Sequence, residues 1–288
     1  MSTVTSRPRP ANGRKRAIAR RSGLYALLIG LAAIFTSPFL WLVITSLKTE
    51  RSLGAFPVEW LPRPFAWENY STALDYMPFL GYTQNSLVIA LIQSTLMTLS
   101  SAYVGFGFAR LRGRGKNLMF GIVMATLMLP HVATLIPSYL IFAKIGLVNT
   151  LWPWVMWGLA GSAFLIFMFR QFFAGLPLEL EEAAIIDGCG YFRIFFRIFL
   201  PQAKPMLATS MILSFSWAWS DFLSPLLLLS SDRTTLAVAL ATGYQTSQGA
   251  PINNLIAAGS TMYVLPVIVV FVFLQRFYQS GSATSGLK

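Results

Sequence analysis

Long apolar stretches alternate with shorter polar segments along the 288 residues of the chain. A helix needs about 20 apolar residues to cross the hydrocarbon core of a bilayer. Six stretches come close to that length with few or no charged side chains, and they lack the alternation of barrel strands. The pattern predicts an all-α integral membrane protein with six transmembrane helices, at residues 24–47, 86–109, 118–142, 152–169, 206–229 and 255–274.

The polar segments divide the chain around this predicted six-helix domain. Residues 1–22 are rich in Arg, Pro and Ser, which predicts a basic, disordered cytoplasmic tail. The transmembrane domain then covers residues 23–280, and residues 281–288 form a C-terminal cytoplasmic tail. A polar insert at residues 170–204 separates the fourth and fifth apolar stretches.

Basic residues are distributed unevenly between the two predicted sides of the membrane. The chain is 55% hydrophobic and 11% charged, and its net charge is +12. Of its 22 Lys and Arg residues, 17 fall on the side of both termini and five on the other side. Because Lys and Arg are enriched in cytoplasmic loops, this asymmetry places both termini in the cytoplasm. The basic residues thus set topology and contact membrane lipid, and they do not indicate a nucleic-acid partner.

The first half of the polar insert has the pattern of a short helix. Pro177 suits the first turn of a helix. The carboxylates of Glu179, Glu181 and Glu182 complement the positive N-terminal end of that helix. Gly188 and Gly190 can each adopt the left-handed conformation in which many helices end. The pattern therefore predicts a helix that stops at this pair of glycines.

The second half of the insert completes a predicted helix-turn-helix. Residues 191–199 alternate aromatic side chains with arginines, and Leu200 and Pro201 are expected to end the segment. On the first helix, Ala183 and Ala184 are small enough to let another surface approach closely. We therefore predict a hairpin on the cytoplasmic side that docks on a partner.

The insert resembles a signature of permease subunits of ABC importers, in which E-A-A, G and I-x-L-P are separated by three and nine residues. The matching positions are Glu182, Ala183, Ala184, Gly188, Ile198, Leu200 and Pro201, with Asp187 beside the glycine. The resemblance implies the type I importer permease fold. It also implies that this segment is a coupling helix, seated in the ATP-hydrolysing subunit. The alternative is an amphipathic interfacial hairpin.

Asp221 is the single acid within the predicted spans, where charges usually face a bundle interior or a wet cavity. Its surroundings resemble the W-N-D-F-x-x-P-L stretch of sugar-importer permeases, with Ser220 in place of the asparagine. Asp221 either lines a translocation path or makes a structural hydrogen bond. Trp217 and Trp219 either stack on a sugar in that path, or pack between helices or belong to the outer aromatic belt. His131, the single histidine, is expected to be a hydrogen-bonded interior residue.

Further resemblance to the second permease of maltose-type carbohydrate importers covers residues 24–288 of the chain. Its motifs are Asn85-Ser86-Leu87, Ala102-Tyr103, Phe108-Ala109-Arg110, Leu265-Pro266, Gln275-Arg276-Phe277 and the tail from Gly281 to Lys288. The resemblance implies a subunit of the bacterial plasma (inner) membrane that moves a di- or oligosaccharide or a related polyol. It implies as partners a second permease, two ABC ATPase subunits that bind ATP and Mg, and an extracytoplasmic sugar-binding protein. This chain itself would carry no cofactor.

Catalytic and metal chemistry have little support in the sequence. The chain has a single cysteine, Cys189, and a single histidine, His131, so a metal site built from cysteines or histidines is not expected. The segment from Gly113 to Lys116 lacks the first glycine and the Ser or Thr of a phosphate-binding loop. We therefore predict a transport protein and not an enzyme. The alternative is an ion-gradient-driven secondary transporter of a small polar solute. It would need several intramembrane acids or broken midplane helices, and an inverted repeat, whereas the sequence has one such acid and no visible repeat.

Overall fold

The computed structural model describes residues 11–282 of the chain, with side chains described from residue 20 to residue 276. Regular structure in this part is helical, apart from one isolated bridge between Gln245 and Pro251. The predicted all-α class is therefore confirmed. The helices are α1 Ala11–Ser46, α2 Glu50–Leu53, α3 Glu68–Tyr76, α4 Phe79–Arg110, α5 Lys116–Ala125, α6 His131–Lys144, α7 Trp152–Ala160, α8 Ala163–Ala174, α9 Glu179–Ile186, α10 Tyr191–Ile194, α11 Leu200–Gln202, α12 Lys204–Trp219, α13 Leu223–Leu228, α14 Leu236–Thr242 and α15 Asn253–Ser282.

Several helices in the described part of the chain are long and apolar enough to cross a membrane. By length and composition these are four, Arg20–Ser46, Phe79–Arg110, Trp152–Ala174 and Asn253–Arg276. A bent pair of segments between residues 116 and 144 would make a fifth. The structure thus confirms a multi-pass membrane protein, whereas the predicted count of six spans is not reproduced.

The predicted third span, residues 118–142, is interrupted at Pro130. After α5 the chain forms a 3₁₀ turn at Thr126–Met128, and Leu129 leaves the helix with φ −82° and ψ 120°. The residue before a proline favours this extended conformation because the proline ring clashes with a helical neighbour. α6 begins directly after Pro130, and its direction differs by 101° from that of the preceding segment. The third predicted span is therefore two helices with a sharp bend at Pro130.

The predicted fifth span, residues 206–229, is also two helices instead of one. α12 has 16 residues and is followed by Ser220, while the six-residue α13 starts at Leu223. A proline inside a helix clashes with the carbonyl four residues earlier, so Pro225 opposes a helical path through Asp221. The Asp221 side chain instead accepts a hydrogen bond from the backbone N–H of Ser224, at 3.1 Å, and caps the new helix.

The first described helix begins earlier than the sequence analysis predicted. Residues 11–22 belong to α1, although the segment 1–22 was predicted to be a disordered tail. Alanine, arginine and lysine dominate residues 11–21, and these are among the best helix formers. Residues 1–10 and 283–288, which complete the two predicted tails, lie outside the described part of the chain.

α4 is the central helix of the bundle and packs against α7, α8 and α12. Glycines permit two of these contacts. A methyl group at Gly105 would lie 2.7 Å from Phe169 Cβ, and one at Gly158 would lie 2.8 Å from Leu96 Cβ. Small residues at helix interfaces allow this close approach in membranes, where backbone proximity and van der Waals packing drive association.

A buried polar seam joins α4 to α12. The Thr98 hydroxyl lies 3.1 Å from the Ser210 hydroxyl and 3.3 Å from the Ser214 hydroxyl. Ser214 also donates to the Ser210 backbone oxygen at 2.7 Å. Hydroxyl groups bonded across helices in this way add about 0.6–2 kcal/mol each in membrane proteins. The seam therefore fixes the register between the two helices.

α3, α14 and the start of α15 form a layer beside the N-terminal end of α4. The Asn69 amide donates to the backbone oxygens of Ser46 and Lys48, both at 2.8 Å, and accepts from the Asn254 amide at 3.0 Å. The Tyr244 hydroxyl donates to the Ala73 backbone oxygen at 2.8 Å, and burial raises the pKa of this phenol. This layer ties the segment between α1 and α4 to the bundle.

Candidate functional site

The predicted helix-turn-helix is present as an ordered hairpin, residues 179–202. α9 ends at Ile186, and Gly188 in the turn that follows has φ 76°, the left-handed conformation that we predicted. Gly190 has φ −72°, so its predicted left-handed conformation is wrong. The N–H of Gly188 donates to Ile185 O and the N–H of Cys189 donates to Ala184 O, both at 2.9 Å. These two bonds are the Schellman arrangement that closes a helix on a left-handed residue. The shape predicted for this segment is therefore confirmed.

α9 has one face against the bundle and one face that the chain leaves uncovered. Glu182, Ala183 and Asp187 are exposed, and Ile186 is 85% exposed. Ala184 is only 5% exposed and belongs to this chain's own hydrophobic core. The prediction that Ala184 offers a close-contact surface to a partner is therefore wrong, because its side chain faces inward.

The second half of the hairpin differs from prediction in how it accommodates Pro201. Residues 195–199 form a π-helical turn, closed by a bond from the N–H of Leu200 to Phe195 O. Pro201, which cannot donate a hydrogen bond, then lies within the short α11 instead of ending the helix. The break comes at Ala203. Ile198 and Leu200 are half-buried, and Pro201 is exposed.

A buried arginine, known from sequence only as the last residue of the Phe108-Ala109-Arg110 motif, holds the hairpin to α4. The guanidinium of Arg110 donates to the backbone oxygens of Phe173, at 2.6 Å, and Leu176. It lies 3.7 Å from the Glu181 carboxylate and 5.0 Å from the centre of the Phe199 ring. The Arg110 and Glu181 side chains are 3% and 10% exposed. We call these five residues the Arg110 clamp.

From sequence, both charged members of the clamp were expected to have other roles. Arg110 was counted in the basic asymmetry, and Glu181 was expected to complement the N-terminal end of α9. The signal that could have identified the pair is the position of Arg110, which closes a long apolar stretch just before the exposed basic turn of residues 112–116. Only the packing of α4 against α8 brings it to α9.

A second candidate site is a cavity of about 540 Å³ between α4, α6, α7 and α12. Its size is within the 300–1,000 Å³ typical of small-molecule sites. Polar and aromatic side chains line it: Gln93, His131, Thr134, Ser138, Trp157, Ser162, Trp217, Ser220 and Asp221. His131 is exposed to this cavity, with its ring 6.5 Å from that of Trp157, and so is not the interior residue that we expected.

The three residues assigned to the translocation path are in two different environments. Asp221 lines the cavity and also caps α13, so both of its predicted roles are compatible with its position. Trp217 lines the cavity and is 44% exposed. Trp219 is 2% exposed, stacks between Phe215 and Tyr263 and donates from Nε1 to Tyr263 O at 3.1 Å. Trp219 therefore packs between helices, and its assignment to the path is corrected.

Metal-binding groups are sparse near both sites. In the part of the chain that the structure describes, no group of three or more His, Cys, Asp or Glu side chains is placed to hold a metal ion. Asp221 and His131 line one cavity but are accompanied there only by neutral polar and apolar side chains. The cavity is therefore suited to a hydroxylated or otherwise polar solute, through hydrogen bonds and aromatic contacts.

Comparison with known proteins identifies relatives over almost the whole chain. It is 34% identical to the arabinooligosaccharides transport system permease protein AraQ of Halalkalibacterium halodurans, over 90% of this chain and 93% of that one. It is 31% identical to the lactose transport system permease protein LacG of Rhizobium radiobacter, over 89% and 93%. It is also 31% identical to the sulfoquinovosyl glycerol transport system permease protein SmoH of Agrobacterium fabrum, over 87% and 88%.

The fold is shared with a solved transporter. A bacterial ABC transporter involved in the import of the acidic polysaccharide alginate superposes with a TM-score of 0.76 at 20% identity, over 95% of this chain and 100% of that one. Residues 97–281 match the model of the binding-protein-dependent transport system inner membrane component family. Because the relatives are transport permeases, the prediction that the chain is not an enzyme is confirmed. The chain belongs to the family of inner membrane components of binding-protein-dependent transport systems.

Proposed function

We propose that the chain is one of two permease subunits of an ATP-driven importer of a carbohydrate, a di- or oligosaccharide or a related polyol. The observation that carries this proposal is the hairpin of residues 179–202, which is held to the bundle on one face and bare on the other. Relatives named for transport of arabinooligosaccharides and lactose support a sugar as the substrate.

The bare face of the hairpin is the proposed seat of an ATPase subunit. It combines the carboxylates of Glu182 and Asp187 with the apolar side chain of Ile186 and the small Ala183. An exposed apolar patch with a charged rim is typical of a protein interface. Gly188, Ile198, Leu200 and Pro201 support this face by fixing the turn and the second helix.

The cavity is the proposed contribution of this chain to the translocation path. Trp217 presents an indole ring to the cavity, and aromatic rings pack well against the apolar faces of sugars. The Asp221 carboxylate can accept hydrogen bonds from hydroxyl groups. A second permease would complete the path on the open side of the cavity.

The distribution of basic residues gives the proposed orientation of the assembly in the membrane. Both termini and the hairpin would be cytoplasmic, where two ABC ATPase subunits would bind ATP and Mg. The layer of α3 and α14 would face an extracytoplasmic sugar-binding protein. Membrane lipid would cover the apolar surfaces that the second permease does not.

Reconstitution in lipid vesicles tests the proposal. Vesicles are prepared with the chain, a second permease, the ATPases and the binding protein. They are expected to take up an arabinooligosaccharide or lactose only when ATP is present on the side of the membrane where the ATPases lie. Uptake driven by a proton or sodium gradient, without ATPases, would contradict the proposal. It would favour a secondary transporter instead.

A further inference from the structure

We propose that the Arg110 clamp is the link through which movement of α9 reaches α4 and the cavity. The inference rests on the proposed docking of an ATPase on α9 and specifies how that docking is transmitted. Arg110 and Glu181 are positioning residues in this proposal. Both are buried, away from the exposed face of α9, and neither lines the cavity.

The clamp connects parts of the chain that are far apart in sequence. Arg110 is the last residue of α4, Phe173 is near the end of α8 and Glu181 is on α9. Leu176 is in the linker between α8 and α9, and the Phe199 ring comes from the second half of the hairpin. One guanidinium therefore joins α4 to both halves of the hairpin.

Burial strengthens this junction, in which Glu181 contacts Arg110 as an ion pair at 3.7 Å without a hydrogen bond. Separating a buried ion pair leaves an uncompensated charge in a region of low dielectric constant, which is strongly unfavourable. The two carbonyl oxygens further fix the plane of the guanidinium, because its N–H groups diverge in a rigid fork. A displacement of α9 is therefore expected to move the end of α4 with it.

α4 is the element that can carry this displacement to the cavity. It is one unbroken helix of 32 residues, and Gln93 and Met97 on it line the cavity. At a rise of about 1.5 Å per residue, Gln93 is roughly 25 Å along the helix axis from Arg110. The covalent connections of the hairpin are less stiff, since the chain leaves helical structure between α8 and α9 and again at Ala203.

The test uses the assembled importer and a reporter that does not depend on the identity of the sugar. A cysteine is introduced at Ser138, which lines the cavity, in a Cys189→Ser background. Its rate of reaction with a small thiol reagent is measured before and after the ATPases are trapped with ATP and vanadate. The variants are Glu181→Gln, which removes the charge, and Arg110→Lys, which keeps the charge but loses the fork.

With the unmodified clamp, we expect trapping to change the rate at which the cysteine is labelled. In either variant this change in rate should be about tenfold smaller, which is a typical size for the coupling between two sites. With Arg110→Lys, which keeps both charges, the amounts of co-purified ATPase and trapped nucleotide should equal those of the unmodified clamp. Glu181→Gln leaves the Arg110 charge uncompensated, so its labelling response is compared per assembled complex. Glu179→Gln, two residues away on α9, and Arg112→Lys, in the adjacent turn, are exposed controls that should respond like the unmodified chain.

Three outcomes separate the proposals. Full labelling changes in both variants would overturn the clamp as a link while leaving the proposed function intact. Reduced complex yield with an unchanged labelling response in the complex that remains would also overturn it, since a purely structural role predicts that result. Failure of ATPase to co-purify with the unmodified chain would instead contradict the proposed function.

Discussion

Asp221 is at once a helix cap and a charge beside the cavity. One carboxylate oxygen accepts from the Ser224 N–H, and the residue also lines the cavity with Trp217 and His131. The two roles can be separated chemically. Asparagine caps helices about as well as aspartate does, so substituting it removes the charge and keeps the cap.

Asp221→Asn is therefore expected to leave the stability and assembly of the complex unchanged while lowering the initial rate of sugar uptake. Loss of a hydrogen bond to a charged group costs about 1.5–3 kcal/mol, which corresponds to roughly a tenfold or larger decrease in rate. Uptake into vesicles is the measurement. Asp232→Asn, at an exposed acid outside the helices, is the control. Wild-type uptake by Asp221→Asn would assign the residue to capping alone.

At the scale of the element, the hairpin depends on which side chains point inward. Ala183 and Ala184 are adjacent in sequence, yet Ala183 is exposed and Ala184 is packed in the core with Phe106 and Phe195. A bulky side chain therefore has different consequences at the two positions. The comparison separates docking of a partner from folding of the hairpin.

Ala183→Trp is expected to leave the thermal stability of the chain unchanged and to reduce the ATPase that co-purifies with it, because a large ring holds the docking surfaces apart. Ala184→Trp is expected to destabilise the chain itself, since overpacking a core costs about 1–3 kcal/mol. Thermal unfolding and co-purification are measured for both variants. Equal losses of ATPase at unchanged stability would contradict the assignment of the two faces.

The turn of the hairpin offers a matched pair of glycines. A side chain at either Gly188 or Gly190 would meet open space, but only Gly188 has a positive φ, of 76°. Gly188→Ala should therefore destabilise the turn by about 1–2 kcal/mol through backbone strain alone. Gly190→Ala, at φ −72°, should not.

The consequence of the glycine pair is measured in the assembled complex. ATPase co-purification and ATP-dependent uptake should fall with Gly188→Ala and remain normal with Gly190→Ala. If the two variants behave alike, the left-handed turn does not contribute to docking.

At the scale of the whole molecule, the distribution of Lys and Arg predicts the orientation in the membrane, and helix packing determines which apolar surfaces stay uncovered. The apolar window of α1 is entirely unburied, so the chain leaves a long surface for lipid or the second permease. The predicted topology places the basic turn at residues 112–116 on the cytoplasmic side of the membrane and the exposed Asp232 on the outer side. Reagents that reach one side only can therefore test the orientation.

In a Cys189→Ser background, an impermeant thiol reagent added to intact cells should label Asp232→Cys and should not label Arg114→Cys. Permeabilised cells should show labelling of both. The positive-inside distribution of Lys and Arg is the physical reason. Labelling of Arg114→Cys in intact cells would reverse the proposed orientation.

Apolar length and turn chemistry were sufficient to predict the all-α membrane class and the hairpin that turns at Gly188. Breaks within apolar stretches were missed because hydropathy is blind to them, although Pro130 and Pro225 mark where they occur. The inward position of Ala184 and the Arg110 clamp depend on how α4, α8 and α9 pack together. The place of Arg110 at the end of an apolar stretch marks it as unusual, but no local pattern encodes which distant segments it contacts.

The π-helical turn at residues 195–199 makes the number of residues in this segment as important as their identity. A π turn closes a hydrogen bond between residues five apart, one more than in an α turn, so it holds one extra residue while the segments on either side keep their phase. Deleting the exposed Arg197 should therefore leave an ordinary α turn, with Ile194 and Phe199 still in the core. A deletion in the regular helical turn at Tyr191–Ile194 would instead rotate the chain upstream by about 100° and should disrupt the hairpin.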